Sequence, residues 1–278
     1  MKIIETFEYE EIKGFKFGYS PIGKPKLSSI IYYIDGLLID TGHRKMSQDI
    51  ADQIKHLPVE QIFITHHHED HTGNLDVLQS IFDCNIFASK ATCDLMKDPP
   101  HISRAQAMVW GQRPAYADLM PLSGLIQTKN HTFQLIPVPG HAPDMMALYE
   151  RKRQWLFSAD LFLSSRIQYY LSSEQIDEQI VSLRRVQQLD YKALLCSHNP
   201  KLGKDAKASV DKKITYLENF YADVIRLYEK GYDPKAIMKS LNLKEEWFLK
   251  WLSRGMLSKV NMVHSAIKAY NRSKSTEE

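Results

Sequence analysis

The sequence predicts an α/β fold in which two β-sheets pack face to face, carry helices on their outer faces and lead into a helical appendage. Three observations predict it. Strand-like runs fall into two groups, each accompanied by helices, and several of these runs end in a histidine or an aspartate. The last 70 or so of the 278 residues show helical periodicity alone. Hydrophobic residues make up 44% of the chain and charged residues 25%, the balance of an ordinary globular protein. A chain of this length buries a sizeable core without staples.

The elements follow in order. Ile3–Glu10 and Phe15–Tyr19 are β-prone runs with a turn expected at Gly14. Ser29–Ile34 and Leu37–Asp40 flank Asp35-Gly36, a dipeptide suited to a tight type I′ hairpin turn. Met46, Ile50, Ile54 and Leu57 recur at helical spacing, and Pro58 closes that segment. Gln61–Thr65 reads as a short buried strand, followed by a helix over 75–82, a strand over 85–88 and a helix over 91–97. Residues 98–130 hold Pro99-Pro100, Pro114, Pro121 and one expected helix around Arg104–Trp110; they exceed what a connection needs and read as an insert. Strands return at Phe133–Val138, Met145–Tyr149, Trp155–Ser158 and Ala193–Cys196, with an amphipathic helix at about 174–189. Residues 1–204 are therefore expected to form the sandwich and 205–278 a helical subdomain broken at Gly231, Pro234 and Gly255.

Composition removes several function classes. Cys84, Cys93 and Cys196 are an odd set without a CxxC pair, which argues against a disulfide framework or a thiolate zinc knot. The opening MKIIETFEYEEIKGF is charged from its fifth residue and has no apolar core of a secretory signal. No apolar run approaches the roughly 20 residues of a membrane span, so a cytoplasmic protein without a membrane partner is expected. A net charge of +3 gives no nucleic-acid footprint. Residues 201–278 carry 16 Lys+Arg against 10 Asp+Glu, leaving 20 against 23 for the rest. Such a bias is more often a solvated helix face than an attractor of anions.

The chemistry is concentrated in His66-His67-His68-Glu69-Asp70-His71, placed directly after the Gln61–Thr65 strand. In extended chain, His66 and His68 project to the same side, and Asp70 and His71 then turn towards a second position. Val138-Pro139-Gly140-His141, Phe157-Ser158-Ala159-Asp160 and Leu195-Cys196-Ser197-His198 each end an apolar strand in a polar residue at one expected sheet edge. One strand-end histidine alone would be structural. Three such ends together with the hexapeptide read as a metal site. Imidazoles and carboxylates without thiolate suit zinc and also admit manganese or iron.

These pieces, together with Leu37–Gly42 (LLIDTG), resemble the metallo-β-lactamase superfamily in order and spacing over about residues 28–200. The resemblance implies an αββα sandwich with its site at one sheet edge, and a dinuclear metal-dependent hydrolase holding two Zn2+ per chain, with Mn2+ or Fe as alternatives. It assigns His66, His68 and His141 to the first metal, Asp70, His71 and His198 to the second, and Asp160 to a bridge between them. Asp40 is implied to fix the ligand loop from behind rather than to bind metal. His68 stands where iron-preferring members often have glutamate, which favours zinc. The expected nucleophile is a metal-bridging hydroxide, oriented by Asp70, which then passes a proton to the leaving group. The chain departs from the family pattern at Ala142–Met145, at Ala159 and at Asn199-Pro200; no ligand is lost, and an altered pocket floor is expected.

The substrate is expected to be a small molecule bearing a carboxylic ester, thioester or lactone. Phosphodiester or nucleotide hydrolysis, and a metal-containing sensor or scaffold, are the alternatives. The insert contributes His101, Arg104, Trp110, Arg113 and Tyr116, of which His101, Trp110 and Tyr116 are candidate substrate contacts. In the tail, Phe220, Tyr221, Tyr228, Trp247, Phe248 and Trp251 read as packing onto the sandwich or onto a second subunit of a homodimer, with the lining of an apolar acyl-binding slot as the alternative.

Overall fold

The computed structural model describes residues 1–277, with the exception of the side chains of Phe248, Leu249, Leu252, Thr276 and Glu277. Phe248, one of the tail aromatics above, thus lies outside the described residues.

The chain opens with β1 (Lys2–Tyr9), β2 (Ile12–Tyr19), β3 (Ser29–Ile34) and β4 (Leu37–Ile39). After α1 (Ser47–Ile54) come β5 (Gln61–Ile64), α2 (Glu69–Thr72), α3 (Leu75–Phe82), β6 (Asn85–Ala88) and α4 (Lys90–Lys97). Next are α5 (Arg104–Val109), β7 (Met120–Pro121), β8 (Leu125–Gln127), β9 (Thr132–Pro137), β10 (Met146–Glu150), β11 (Trp155–Ala159) and β12 (Tyr170–Leu171). Then follow α6 (Ile176–Gln187), β13 (Ala193–Cys196), β14 (Lys201–Leu202), α7 (Lys204–Tyr228) and α8 (Pro234–Ser240). The chain closes with α9 (Trp247–Leu252), β15 (Leu257–Ser258) and α10 (Lys259–Glu277).

Strands β1 to β7 form one sheet in sequence order, and a second sheet runs β14-β13-β11-β10-β9-β8. Alternation along each central strand divides its side chains between two cores. Ile30, Tyr32 and Ile34 of β3 and Phe63 of β5 face the space between the sheets, where they meet Phe133, Leu148, Trp155, Phe157 and Leu195. Ile31, Leu38, Ile62 and Ile64 point the other way, onto Ile50 and Ile54 of α1, Leu75 and Leu78 of α3, and Met96 of α4. Leu156 and Leu194 of the second sheet are covered by Ile176 and Leu183 of α6, Val210 and Leu217 of α7, and Met262 and Ala266 of α10. Helix, sheet, sheet, helix is therefore the order of layers, as expected. In this αββα sandwich the C-terminal helices α7 and α10 pack against α6 on the same side of the second sheet. Because both faces are buried, the central strands are apolar throughout, as in parallel sheets.

Asp35 and Gly36 both adopt positive φ (46° and 84°) in the β3–β4 turn, the geometry expected of that dipeptide. Gly14, expected at a turn, lies inside β2 opposite Phe7. A Cβ at Gly14 would come within 2.2 Å of the Phe7 ring, so this glycine makes room for an aromatic on the neighbouring strand. The 98–130 segment is also less of an insert than its length implied. Met120–Pro121 pairs with Phe87–Ala88 at the edge of the first sheet, and Leu125–Gln127 pairs with β9 in the second. The tail is not wholly helical, since Leu257–Ser258 pairs antiparallel with Tyr170–Leu171. Of the tail aromatics, Phe220 is buried, Tyr221 and Tyr228 pack against that core, and Trp247 and Trp251 stand 73% and 75% exposed. No described helix is long and apolar enough to cross a membrane.

Candidate metal centre

The strands β4, β5, β11 and β13 all finish at one edge, where the two sheets are joined directly. Ile30 N donates to Ser197 O at 2.8 Å and Met146 N to Thr65 O at 2.9 Å. Each strand delivers polar residues from just beyond its end to this seam: Asp40 after β4, His66 and His68 after β5, Asp160 after β11 and His198 after β13. His141 arrives on the loop after β9, and Asp70 and His71 on the single turn α2. At the strand end before Asp160, Ala159 is forced to a φ of 47° by a bulge against β13, a position at which glycine would be unstrained.

Seven side chains converge in two groups. His66, His68 and His141 form one, and Asp70, His71, Asp160 and His198 the other; in each group the candidate ligand atoms all lie within 4.8 Å of one another. His68 Nδ1 is 3.1 Å from His66 Nε2 and 3.0 Å from His141 Nε2. Nitrogens at their usual distance on a tetrahedral zinc stand roughly 3.3 Å apart, so this spacing is close to that of a metal cage. In the second group, Asp160 Oδ2 is 3.1 Å from His198 Nε2, and Asp70 Oδ2 is 3.6 Å from both His71 Nε2 and His198 Nε2. Asp160 Oδ2 is also 3.4 Å from His141 Nε2, so one carboxylate lies beside both groups.

The outer faces of these rings are held as well. Asp40 Oδ2 sits 2.7 Å from His71 Nδ1, and its Oδ1 accepts from Thr65 N at 2.8 Å. Asp40 adopts a φ of 66°, a strained conformation fixed by these contacts. Thr65 Oγ1 is 3.1 Å from His66 Nδ1, and the Ser28 carbonyl is 2.5 Å from His198 Nδ1. His67, the histidine between the two ligand candidates, turns the other way. Its backbone N–H donates to Asp144 Oδ2 at 2.9 Å, and its ring Nδ1 lies 2.8 Å from Asp144 Oδ1. Asp144 also accepts from Thr92 Oγ1 at 2.9 Å. Thus part of the Ala142–Met145 departure clamps the ligand loop from behind rather than forming a pocket floor.

The electrostatics suit a cation. Burial holds His66 and His68 well below the ordinary imidazole range, which leaves their lone pairs free for a metal. Burial also disfavours charge on the other three rings, but carboxylates outweigh it. Asp70 and Asp40 push His71 well up, Glu174 and Asp160 raise His141, and Asp160 with Asp70 takes His198 to about 9. Asp160 itself, although buried, is held well below the usual carboxylate range by His198 and His71. His71 Nε2 and Asp160 Oδ1 are buried with no hydrogen-bond partner. Buried polar atoms left unpaired and pointed into a cluster of lone pairs are what a missing cation would satisfy. The donor set therefore fits metal binding.

The family profile described as the Metallo-beta-lactamase superfamily matches residues 28–198, a span that contains every one of these side chains. The chain belongs to this superfamily. Among its metallo-beta-lactamase-like relatives is a hydroxyacylglutathione hydrolase of Bdellovibrio bacteriovorus, 27% identical over 143 residues, or 51% of this chain and 50% of that protein. The probable metallo-hydrolase YqjP of Bacillus subtilis is 25% identical over 252 residues, covering 72% of this chain and 76% of its own. The chain thus spans half to about three quarters of the length of these two relatives. A metallo-beta-lactamase from Pontibacter korlensis shares the fold, with a TM-score of 0.61 at 17% identity, over 78% of this chain and all of that one. This is a superfamily of metal-dependent hydrolases, and the chain has the fold and the His/Asp side chains of an enzyme of that kind.

A cavity of about 290 Å³ opens over the two groups, with His68, Asp70, His141, Asp160 and His198 in its floor. Its walls include Leu27, Trp110, Leu163, Tyr169, Leu171 and Leu257. Of the three substrate-contact candidates, only Trp110 reaches it. His101 is exposed elsewhere, and Tyr116 packs beside the core under the first sheet. Arg113 is buried against Glu69 (3.1 Å) and the Pro100 carbonyl, and so supports α2 instead of facing substrate. Sequence reasoning missed Glu174, Tyr169, Leu171 and Leu257, which arrive on short turns and on the two-residue strands β12 and β15 without periodic signal.

Proposed function

We propose that this chain is a dinuclear metal-dependent hydrolase of a carboxylic ester, thioester or lactone. The observation that carries the reading is the cavity: ligand atoms form its floor, and Leu27, Trp110, Leu163, Leu171 and Leu257 line its walls. Lys26, at its rim, is the one lysine or arginine among the lining residues, which suits an acyl group better than a polyanion. The name of the Bdellovibrio relative, a hydrolase of a hydroxyacylglutathione, supports the same acyl chemistry.

In this reading His66, His68 and His141 would hold one zinc ion and Asp70, His71 and His198 the other, with Asp160, which is near both groups, available to either. Metal ions held there would supply Lewis acidity, lowering the pKa of a water and polarising the acyl oxygen. Asp70 orients the attacking water, whose oxygen bonds to the acyl carbon as the bond to the leaving oxygen or sulfur breaks. The proton given up by the water passes through Asp70 to the leaving group. Trp110 and the leucines hold the acyl portion and keep bulk water out. Asp40 and Asp144 keep the ligand loop in place throughout.

The test is metal content per chain by elemental analysis, followed by turnover of p-nitrophenyl esters against bis-p-nitrophenyl phosphate. Close to two ions, with ester hydrolysis lost to a chelator and restored by zinc, is the expected result. Preferential cleavage of the phosphodiester would overturn the substrate class. Fully loaded protein without turnover of either would favour a binding role.

A further inference from the structure

Four of the five clustered histidines have one ring nitrogen turned into the site and the other turned outward. For three of them the outer partner is described above: Asp40 for His71, Thr65 for His66 and the Ser28 carbonyl for His198. The fourth is His141. Its Nε2 faces His68 and Asp160, while its Nδ1 is buried with no aligned hydrogen bond and has Glu174 Oε2 3.3 Å away.

Glu174 is itself 7% exposed and firmly held. Its Oε1 accepts from Leu171 N at 2.8 Å and its Oε2 from Gln179 Nε2 at 2.7 Å, while Gln179 Oε1 accepts from Tyr170 Oη at 2.9 Å. The backbone of the same turn is tied in two directions. Gln175 N donates to Gly140 O at 2.8 Å, beside His141, and Ser265 Oγ of α10 donates to the Glu174 carbonyl at 2.9 Å. Ile176 N in turn donates to Ser265 Oγ at 2.9 Å. A carboxylate behind a metal-binding histidine keeps the proton on the outer nitrogen, leaves the inner lone pair free and fixes the plane of the ring.

We propose that Glu174 is the positioning residue for His141, and that through Ser265 it makes one metal position depend on the C-terminal helix α10. This rests on the reading of His66, His68 and His141 as a metal site. Zinc affinity of the full chain is measured by competition with a chromophoric chelator for the wild type, Glu174→Gln, Glu174→Ala and Ser265→Ala. Far-UV circular dichroism and melting of the metal-free proteins are recorded alongside. The expected result is two zinc ions in the wild type and a loss of about 10–100-fold at one of the two positions in Glu174→Ala. Glu174→Gln, whose amide can still accept from His141, should lose less, and the other position should be unaffected in both. Ser265→Ala should shift the same position in the same direction by a smaller factor. If Glu174 were only structural, the metal-free melting point would fall while zinc affinity stayed at the wild-type value; that result overturns the inference and leaves the proposed hydrolase standing. A wild type that binds no zinc removes the metal-site reading and this inference with it. If Glu174→Ala does not fold, Glu174→Gln decides, with unchanged affinity at both positions as the refuting outcome.

Discussion

Replacing Asp144 by alanine separates the support of the ligand loop from the ligands themselves. The Asp144 carboxylate is 3% exposed and faces His67 N at 2.9 Å, His67 Nδ1 at 2.8 Å and Thr92 Oγ1 at 2.9 Å. Losing a buried charged acceptor and leaving its partners unpaired costs about 3–5 kcal/mol. At about 2–4 °C per kcal/mol for a domain of this size class, the melting point should fall by roughly 6–20 °C. The assay is urea and thermal unfolding of the metal-free protein, so that metal linkage does not contribute. The acid limb gives a second check. Burial works to raise the Asp144 carboxyl, but its bonds to His67 and Thr92 hold it below the ordinary value. The stabilisation is therefore present above the unfolded carboxylate pKa and is lost as pH falls through the lower folded value, a slope that the alanine variant should lack. A stability loss under about 1 kcal/mol would refute the reasoning, since it would mean that water or a neighbour satisfies His67 and Thr92 equally well.

Asp160→Ala or His71→Ala should lower metal content and abolish hydrolysis while leaving the far-UV spectrum largely intact; an Asp160→Ala protein that kept two ions would end the bridging assignment. Gly140→Ala should destabilise by at least about 2 kcal/mol in thermal melts, because φ is 125° and a Cβ would meet Gln179 N at 2.4 Å. Gly124→Ala, at φ 80° but with open space around it, should cost only about 1 kcal/mol, and equal losses would show that the contact is irrelevant. Lys213 is fully buried, donates to the Leu161 carbonyl at 2.6 Å and is pulled down by burial to about 8. Its folded pKa lies below the unfolded one, so the unfolded chain binds more protons between about pH 8 and 10.5, and stability should rise with pH there by roughly 3 kcal/mol. Lys213→Met should flatten that rise, and identical pH profiles for the two proteins would contradict it.

Much of the sandwich was legible because its central strands are buried on both faces. Runs such as Ser29–Ile34 and Ala193–Cys196 stand out without any need to know their partners. The seven clustered side chains were legible because each follows the end of such a run directly or on a short loop. What was missed depends on pairs remote in sequence. Gly14 looked like punctuation, yet its place is set by the ring of Phe7 on the facing strand. Tyr170–Leu171 and Leu257–Ser258 are too short to show alternation, and each forms only because the other lies beside it. Asp144 falls in a stretch expected to alter the pocket floor and Glu174 at the start of an expected helix, and nothing local in the sequence marks either carboxylate as buried. Only the fold reveals that both are buried and turned onto histidines.

Charge explains why those buried carboxylates and the clustered histidines belong together. Asp40, Asp70, Asp160 and Glu174 lie within one small volume, each less than 10% exposed, and among the described residues none is paired with a lysine or arginine. Burying four carboxylates without positive partners would be prohibitive. Against the effect of burial, these carboxylates raise the affinity of His71, His141 and His198 for protons, so the two kinds of group compensate one another. A proton on the inward nitrogen of any of these rings would compete with a metal ion for the same lone pair, so metal binding there would release protons. Asp40 lies behind His71 and Glu174 behind His141, so each group has one carboxylate at its back. The Glu174 end is anchored by Ser265. A helix outside the span that matches the family profile thus reaches the turn that carries Glu174.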